Sequence, residues 1–111
     1  MSDDDYFYCL VRKDIPVQDQ VCQVAHACVE AGKRYMHPEH TNLVLLELPN
    51  KKALLEMAAK LDRNRVDYFL NSETDDNMGE TSICTAVVRG STRRLFSSIP
   101  LWKIEPELVA A

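Results

Sequence analysis

The chain has 111 residues, which suits one domain that buries about two-thirds of the surface of its unfolded form. Its composition is typical of a globular domain, and no apolar run approaches the roughly 20 residues that a membrane span needs. The net charge of −4 argues against a general polyanion binder. The N-terminal residues lack the basic and apolar stretches of a secretion signal, so we expect a cytoplasmic protein with no membrane partner.

Two strand–helix pairs are predicted in the first half of the chain. The nearly continuous apolar run over residues 6–12 is typical of a strand covered on both faces, and a helix follows from about residue 18 to residue 35. A second buried strand is predicted over 42–48. Pro49 ends this strand, and Asn50 is the expected N-cap of a helix over 51–64.

The second half of the chain predicts two more strands and a short last helix. Residues 66–71 form the third strand, and a polar loop leads to a fourth strand over 81–90. Ser91 is the expected cap of a short helix over 91–96. The order β-α-β-α-β-β predicts an α/β fold, a single domain with one four-stranded mixed sheet flanked by helices.

The first helix carries a line of polar side chains. At about 100° per residue, one side of the helix holds Asp19, Gln23, His26 and Glu30. The opposite side is apolar and consists of Val21, Ala25, Cys28, Val29 and Gly32. Either the polar side lies in water, as on an ordinary amphipathic helix, or Gln23 and His26 face a cleft.

The cysteines and histidines predict neither a metal site nor a thiol nucleophile. Four cysteines stand singly in apolar stretches, which indicates buried reduced thiols. They are Cys9, Cys22, Cys28 and Cys84. A nucleophilic pair of Cys22 or Cys28 with His26 is disfavoured, because the thiol would have to leave the apolar face. His37 and His40 have the spacing of zinc ligands, but Pro38 between them favours a polar loop.

The charges are unevenly distributed along the chain. Residues 79–104 contain four basic side chains against one acidic side chain, Glu80, which gives a local charge of +3. The basic residues are Arg89, Arg93, Arg94 and Lys103. A basic patch of this kind can bind a nucleic-acid backbone even on an acidic protein, and the alternative is a solvated surface.

Several strings, in this order along the chain, resemble the type 2 (archaeal and eukaryotic) peptidyl-tRNA hydrolases. The family begins with an apolar strand that ends in Arg-x-Asp-Leu/Ile, and "VRKDI" supplies Arg12 and Asp14 here. Its first helix carries Gln-x-x-His-Ala, which matches Gln23, His26 and Ala27. The string "SETDDNMGETSICTAVV" resembles the family's acidic loop and the following strand that bears Ser or Thr. The likeness covers about residues 6–90, which leaves 91–111 as a C-terminal extension.

The resemblance implies hydrolysis of the ester that joins a peptidyl group to the 3′ end of tRNA, with no metal and no cofactor. It implies that Gln23 and His26 border the active cleft and that an acid, Asp75 or Asp76, orients the attacking water. Ser82 or Thr85 would position or relay a proton. We therefore expect Gln23, the Asp75/Asp76 loop and Thr85 to converge on one cleft.

Cations would bind the tRNA phosphates beside this cleft. The candidates are Arg12, Lys13, Arg89, Arg93 and Arg94, of which the last three are expected to form a patch next to the cleft. One position departs from the family, because Asp19 stands where the family has lysine. The alternative hypothesis is therefore a catalytically impaired member of the fold that acts on another substrate, or that binds or oligomerises without turnover. A second copy of the chain would then be a candidate partner.

Overall fold

The computed structural model describes residues 5–104, so residues 1–4 and residues 105–111 of the predicted extension lie outside the described part. The elements are β1 (Tyr6–Arg12), α1 (Val17–Tyr35), β2 (Asn42–Leu48), α2 (Lys51–Arg63), β3 (Tyr68–Glu73) and β4 (Gly79–Thr85). The strand order in the sheet is β2-β1-β4-β3. Strand β1 runs parallel to β2 and antiparallel to β4, and β4 runs antiparallel to β3. The predicted α/β fold with a four-stranded mixed sheet is confirmed.

Both strands of the second half differ from their predicted bounds. Strand β3 covers Tyr68–Glu73 rather than 66–71, and β4 covers Gly79–Thr85 rather than 81–90. The strand was predicted too long because the sequence stays apolar after Thr85. Val88 is apolar because it packs in the core, where it forms an isolated bridge with Tyr6 without prolonging the strand. The predicted last helix is a 3₁₀ helix over Gly90–Phe96, which begins before its expected cap at Ser91.

The sheet has an apolar core on each face. On the α2 side, strand residues Leu10 and Ile83 pack with Leu54, Leu61 and other apolar side chains. On the α1 side, a smaller core is formed by Cys9, Ala27, Ala31 and Cys84. Because side chains alternate across a strand, β1 and β4 supply residues to both cores, which explains their nearly continuous apolar sequences.

Helix α1 does not bury the side that the sequence predicts. Val21 and Val29 are 56% and 58% exposed. The buried residues of the helix are Gln20, Gln23, Ala27 and Ala31. The prediction is wrong because it ranks side chains by hydrophobicity alone. The buried glutamines have polar partners, since Gln23 bonds to side chains of the sheet and Gln20 bonds to the Ile15 carbonyl and the Trp102 ring N–H. The small alanines, in turn, let the helix approach the strands closely.

A β-bulge in β4 brings two adjacent polar side chains to the same helix. Asn71 of β3 pairs with Ser82, but Ser72 pairs with Glu80, so Thr81 is an extra residue on β4. A bulge lets neighbouring side chains point to the same face of the sheet. The hydroxyls of Thr81 and Ser82 both bond to Gln23 of α1 for this reason.

The longest described helix is α1, with 19 residues. Within residues 5–104, no helix combines the length and the apolar character needed to cross a membrane.

Candidate functional site

A group of hydrogen-bonded side chains lies between α1 and the β3–β4 hairpin, and we call it the polar cluster. Its members are Gln23, Asn71, Glu73, Thr81 and Ser82. The side-chain oxygen of Gln23 accepts from Asn71 Nδ2 at 2.6 Å and from the Thr81 hydroxyl at 3.1 Å. Its side-chain nitrogen donates to a carboxylate oxygen of Glu73 at 3.3 Å. The Ser82 hydroxyl donates to the backbone carbonyl of Gln23 at 3.0 Å.

The cluster is buried except at Glu73. Gln23 is 4% exposed, and Asn71, Thr81 and Ser82 are also buried, whereas Glu73 is half-buried. Among the described residues, every buried side-chain nitrogen and oxygen has a hydrogen-bond partner. Because leaving such a group unpaired costs about 1–3 kcal/mol, the hydrogen bonds fix the rotamers of the cluster.

The Glu73 carboxylate is the part of the cluster that reaches the surface. Its second oxygen accepts from the backbone N–H of Asp75 at 3.1 Å. The pKa of Glu73 is held below its usual value, first by this bond, then by the Gln23 amide, with a smaller contribution from the charge of His26. The Glu73 carboxylate is therefore oriented by two hydrogen bonds, and the exposed His26 lies one turn of α1 after Gln23. His26 also lines an open cavity of about 210 Å³ on α1.

The acid that contacts Gln23 is Glu73 rather than Asp75 or Asp76. Both aspartates are exposed in the 3₁₀ turn that follows β3. Asp75 is linked to the cluster through its backbone N–H. Sequence reasoning expected the acid in the loop over 73–76 but selected Asp75 or Asp76 instead of Glu73, because the third strand was expected to end at residue 71. Extending its two-residue alternation puts Asn71 and Glu73 on the same face, and that was the signal that could have found both.

The predicted convergence on one cleft is wrong for Gln23, which is 4% exposed and bonded internally rather than facing a cleft, and it is wrong for Thr85. The buried Thr85 hydroxyl accepts from the backbone N–H of Tyr8 at 3.0 Å. Thr85 follows Ser82 of the cluster by three residues in β4, so the two residues lie about 10 Å apart along the strand. Thr81, which the sequence analysis did not select, provides the threonine hydroxyl of the cluster. The bulge that places Thr81 there depends on cross-strand register, so the local sequence gave no signal for it.

Arg12 and Lys13 have partners within the protein. The Arg12 guanidinium bonds to both carboxylate oxygens of Asp14, at 2.6 and 3.0 Å, and donates to the backbone carbonyl of Met78 at 2.7 Å. Lys13 pairs with Glu47 at 3.3 Å. Arg12 thus holds the turn before β4 in place. These partners of Arg12 and Lys13 all lie outside the polar cluster.

Arg89 and Arg93 lie at the other end of β1. Arg89 pairs with Asp5 at 2.6 Å, and the Arg93 guanidinium lies 3.6 Å from the centre of the Tyr6 ring. Arg94, on the same 3₁₀ helix, is exposed. We call Arg89, Arg93 and Arg94 the basic patch.

The basic patch does not adjoin the polar cluster, so this prediction is wrong. In the sheet register, Ser82 of the cluster pairs with Val11 of β1. Tyr6, which contacts the patch, precedes Val11 by five residues, or about 17 Å of strand. The two surfaces therefore occupy opposite ends of the sheet.

Three of the four cysteines come together, which their separate positions in the sequence did not indicate. The sulfurs of Cys9, Cys28 and Cys84 all lie within 4.8 Å of one another, and we call them the thiol group. Cys9 and Cys84 are buried and Cys28 is half-buried, but Cys22 is exposed, contrary to the prediction of a buried thiol. All four cysteines are free thiols. Among the described residues, the thiol group is the set of His, Cys, Asp or Glu side chains whose ligand atoms lie close enough together to hold a metal ion.

No protein-family model matches the chain, and no curated protein matches it by sequence. Among solved structures, the chain is similar to a protein of unknown function from Agrobacterium tumefaciens strain C58. The TM-score is 0.69 at 10% sequence identity, over 92% of this chain and 100% of the other. At that identity the likeness concerns the fold alone.

Proposed function

We propose that the protein hydrolyses the ester between a peptidyl group and tRNA at the surface that includes His26 of α1 and Glu73 of β3. The observation that carries the proposal is the orientation of the Glu73 carboxylate by the Asp75 N–H and by Gln23, which lies one turn of α1 before the exposed His26. The choice of peptidyl-tRNA as substrate rests on the sequence resemblance around Gln23 and His26. This substrate would place the protein in the cytoplasm.

In the proposed reaction, His26 acts first as a base and then as an acid. Its neutral imidazole takes a proton from water as the water oxygen attacks the ester carbonyl carbon. The negative charge of the Glu73 carboxylate stabilises the imidazolium that forms. The imidazolium then returns the proton to the departing 3′ oxygen of the tRNA, which leaves a free peptide carboxyl group. Gln23 acts as a positioning residue because it holds Glu73.

The basic patch would bind the tRNA away from the reacting ester. Arg94 and Arg89 are exposed and can approach phosphates, and the strand distance of about 17 Å is short compared with a tRNA arm. Such contacts would make the affinity for tRNA fall steeply with salt. Salt-independent binding, or binding unchanged in Arg94→Glu, would contradict this part of the proposal.

Release of labelled peptide from peptidyl-tRNA tests the activity. We expect His26→Ala to lower the rate by about 10²–10⁴-fold, the usual range for the loss of a general acid–base group. His40→Ala is the matched control, because His40 is an exposed histidine in the loop after α1. Equal rates for the two folded variants would overturn the proposal, as would the absence of release by both the folded native protein and folded Asp19→Lys, in which a cation replaces the Asp19 anion.

A second candidate function is binding without turnover. Both side-chain polar atoms of Gln23 and the Ser82 hydroxyl bond to other groups of the protein. This observation favours binding, because these groups do not face a substrate. Saturable, salt-sensitive binding of tRNA by a protein that leaves the ester intact would favour this function over hydrolysis.

A further inference from the structure

The thiol group lies between α1 and the sheet, on the same face as the polar cluster. Cys9 and Cys84 are directly opposite each other in the antiparallel register of β1 and β4, and both side chains are fully buried. Cys28 reaches them from α1, and its sulfur is 3.9 Å from that of Cys84. Two strands and a helix therefore hold the three sulfurs in place.

The spacing of the sulfurs fits a single metal ion. A metal–thiolate distance is about 2.3 Å, so three sulfurs around one ion in a trigonal plane lie about 4 Å apart. The Cys28–Cys84 separation is already 3.9 Å, and every separation in the group is within 4.8 Å. Binding would require sulfur displacements of less than about 1 Å, which side-chain rotation can supply.

We propose that Cys9, Cys28 and Cys84 bind one monovalent copper ion through three thiolate sulfurs. Thiolates are soft ligands that select Cu(I) and zinc, and zinc sites almost always have four ligands. The described metal-ligating group has three. The ion replaces the thiol protons, which pass to solvent, and the oxidation state of copper does not change.

The surroundings of the thiol group favour three-coordination. Partly buried apolar side chains pack against it, among them Phe7, Val24 and Phe69, and limit access of water as a fourth ligand. His37 is nearby, but its Nε2 bonds to the backbone carbonyl of Thr85 at 2.9 Å and its ring stacks on Phe7. The histidine is thus held by other partners and is not among the ligands.

Cys28 gives the ion a point of access. It is half-buried, whereas the other two thiols are fully buried. An incoming ion therefore meets the Cys28 sulfur first and reaches the two buried thiols from it.

Titration of the reduced full-length chain with Cu(I) under anaerobic conditions, against a chelator of known Cu(I) affinity, tests the site. We expect one copper per chain and an ultraviolet thiolate-to-copper absorption band. Cys28→Ser should weaken binding at least about a hundredfold, since even changes to residues behind metal ligands cost 10–100-fold. Cys22→Ser is the matched control, because Cys22 is an exposed cysteine on the same helix.

The alternatives give different results in the same titration. No copper uptake by the folded chain, or uptake that is lost in Cys22→Ser and kept in Cys28→Ser, would overturn the proposal. Cys84→Ala provides a second ligand removal, and thermal melts check that each variant is folded. Equal affinity of Cys28→Ser, Cys84→Ala and the native chain would also overturn it. The site is independent of ester hydrolysis, so neither test decides the other.

Discussion

Helix α1 packs two chemically different surfaces against one sheet. In its first half, Gln23 meets Asn71 and Thr81 through directional hydrogen bonds. In its second half, Ala27 and Cys28 pack against Cys84 and apolar neighbours. The polar half depends on exact donors and acceptors, because an unpaired buried amide loses its hydration without compensation. The apolar half depends on volume, because close packing leaves no space for additional atoms. Substitutions in the two halves should therefore fail for different reasons.

Of the substitutions that compare the two halves, the largest effect is expected at the start of the polar half, where Asp19 stands in place of the lysine that the resemblance to peptidyl-tRNA hydrolases implies. If hydrolysis takes place beside Gln23, a cation at residue 19 would stabilise negative charge in the transition state. We expect Asp19→Lys to raise the rate of peptide release on the order of 10²–10³-fold, the usual contribution of one preorganised donor. Asp19 is half-buried in the first turn of α1, so loss of its favourable dipole interaction should cost less than about 1 kcal/mol. Native release should accordingly be weak or undetectable. Robust native release that the substitution leaves unchanged would mean that another cation, Arg12 or Lys13, already fills the role, and inactivity of both folded proteins would favour binding without turnover.

Gln23→Leu tests the directional character of the polar half. The substitution removes the shorter bonds of the buried Asn71 and Thr81 side chains, at 2.6 and 3.1 Å, and leaves them only their mutual bonds at 3.2 and 3.3 Å. We expect the free energy of unfolding in denaturant to fall by about 3 kcal/mol. Gln18→Leu, on an exposed position of the same helix, is the matched control and should change it by less than about 0.5 kcal/mol. Equal free energies of unfolding for Gln23→Leu and the native chain would show that the hydrogen bonds of the cluster make no net contribution to stability.

Ala27→Leu tests the dependence of the apolar half on volume. Ala27 is fully buried against the sheet, so a leucine must displace the helix or adopt a strained rotamer. We expect a loss of about 2 kcal/mol in the free energy of unfolding, within the usual range for overpacking. Ala25→Leu adds the same atoms at an exposed position and should be nearly neutral. A stabilised Ala27→Leu variant would indicate a cavity rather than close packing beneath α1.

The pH dependence of stability distinguishes the two halves through Glu73. Its pKa is lowered in the folded protein, so its stabilising contribution is present above the pKa of the unfolded chain and is lost as the pH falls through the folded value. Thermal melts of the native chain and Glu73→Gln should therefore differ at pH 7 and converge below about pH 4. Curves that run parallel down to pH 3 would contradict the pairing of Glu73 with Gln23 and the Asp75 N–H.

The elements could be predicted from the sequence because strands buried on both faces and an Asn50-capped helix carry local signals. Asn50 indeed accepts from the backbone N–H of Ala53 at 2.9 Å. Three features could not be predicted, because each depends on partners distant in the chain. They are the buried face of α1, the bulge at Thr81 and the thiol group. Gln23 and Ser82 were selected, but Glu73 lay two residues beyond the expected strand end. Whether these residues catalyse hydrolysis stays a prediction.

The smallest effect is expected on the outer face of α1, where the sequence predicts burial and the structure has exposure. Val29 is 58% exposed, so Val29→Lys removes little buried surface. We expect the free energy of unfolding to change by less than about 0.5 kcal/mol, as for most surface substitutions. If the apolar side predicted from the sequence were the buried one, a lysine there would place an unpaired charge in the core and cost several kcal/mol. Chemical denaturation of Val29→Lys beside Gln23→Leu therefore decides which face of α1 meets the sheet, because only one of the two substitutions can be strongly destabilising for this reason.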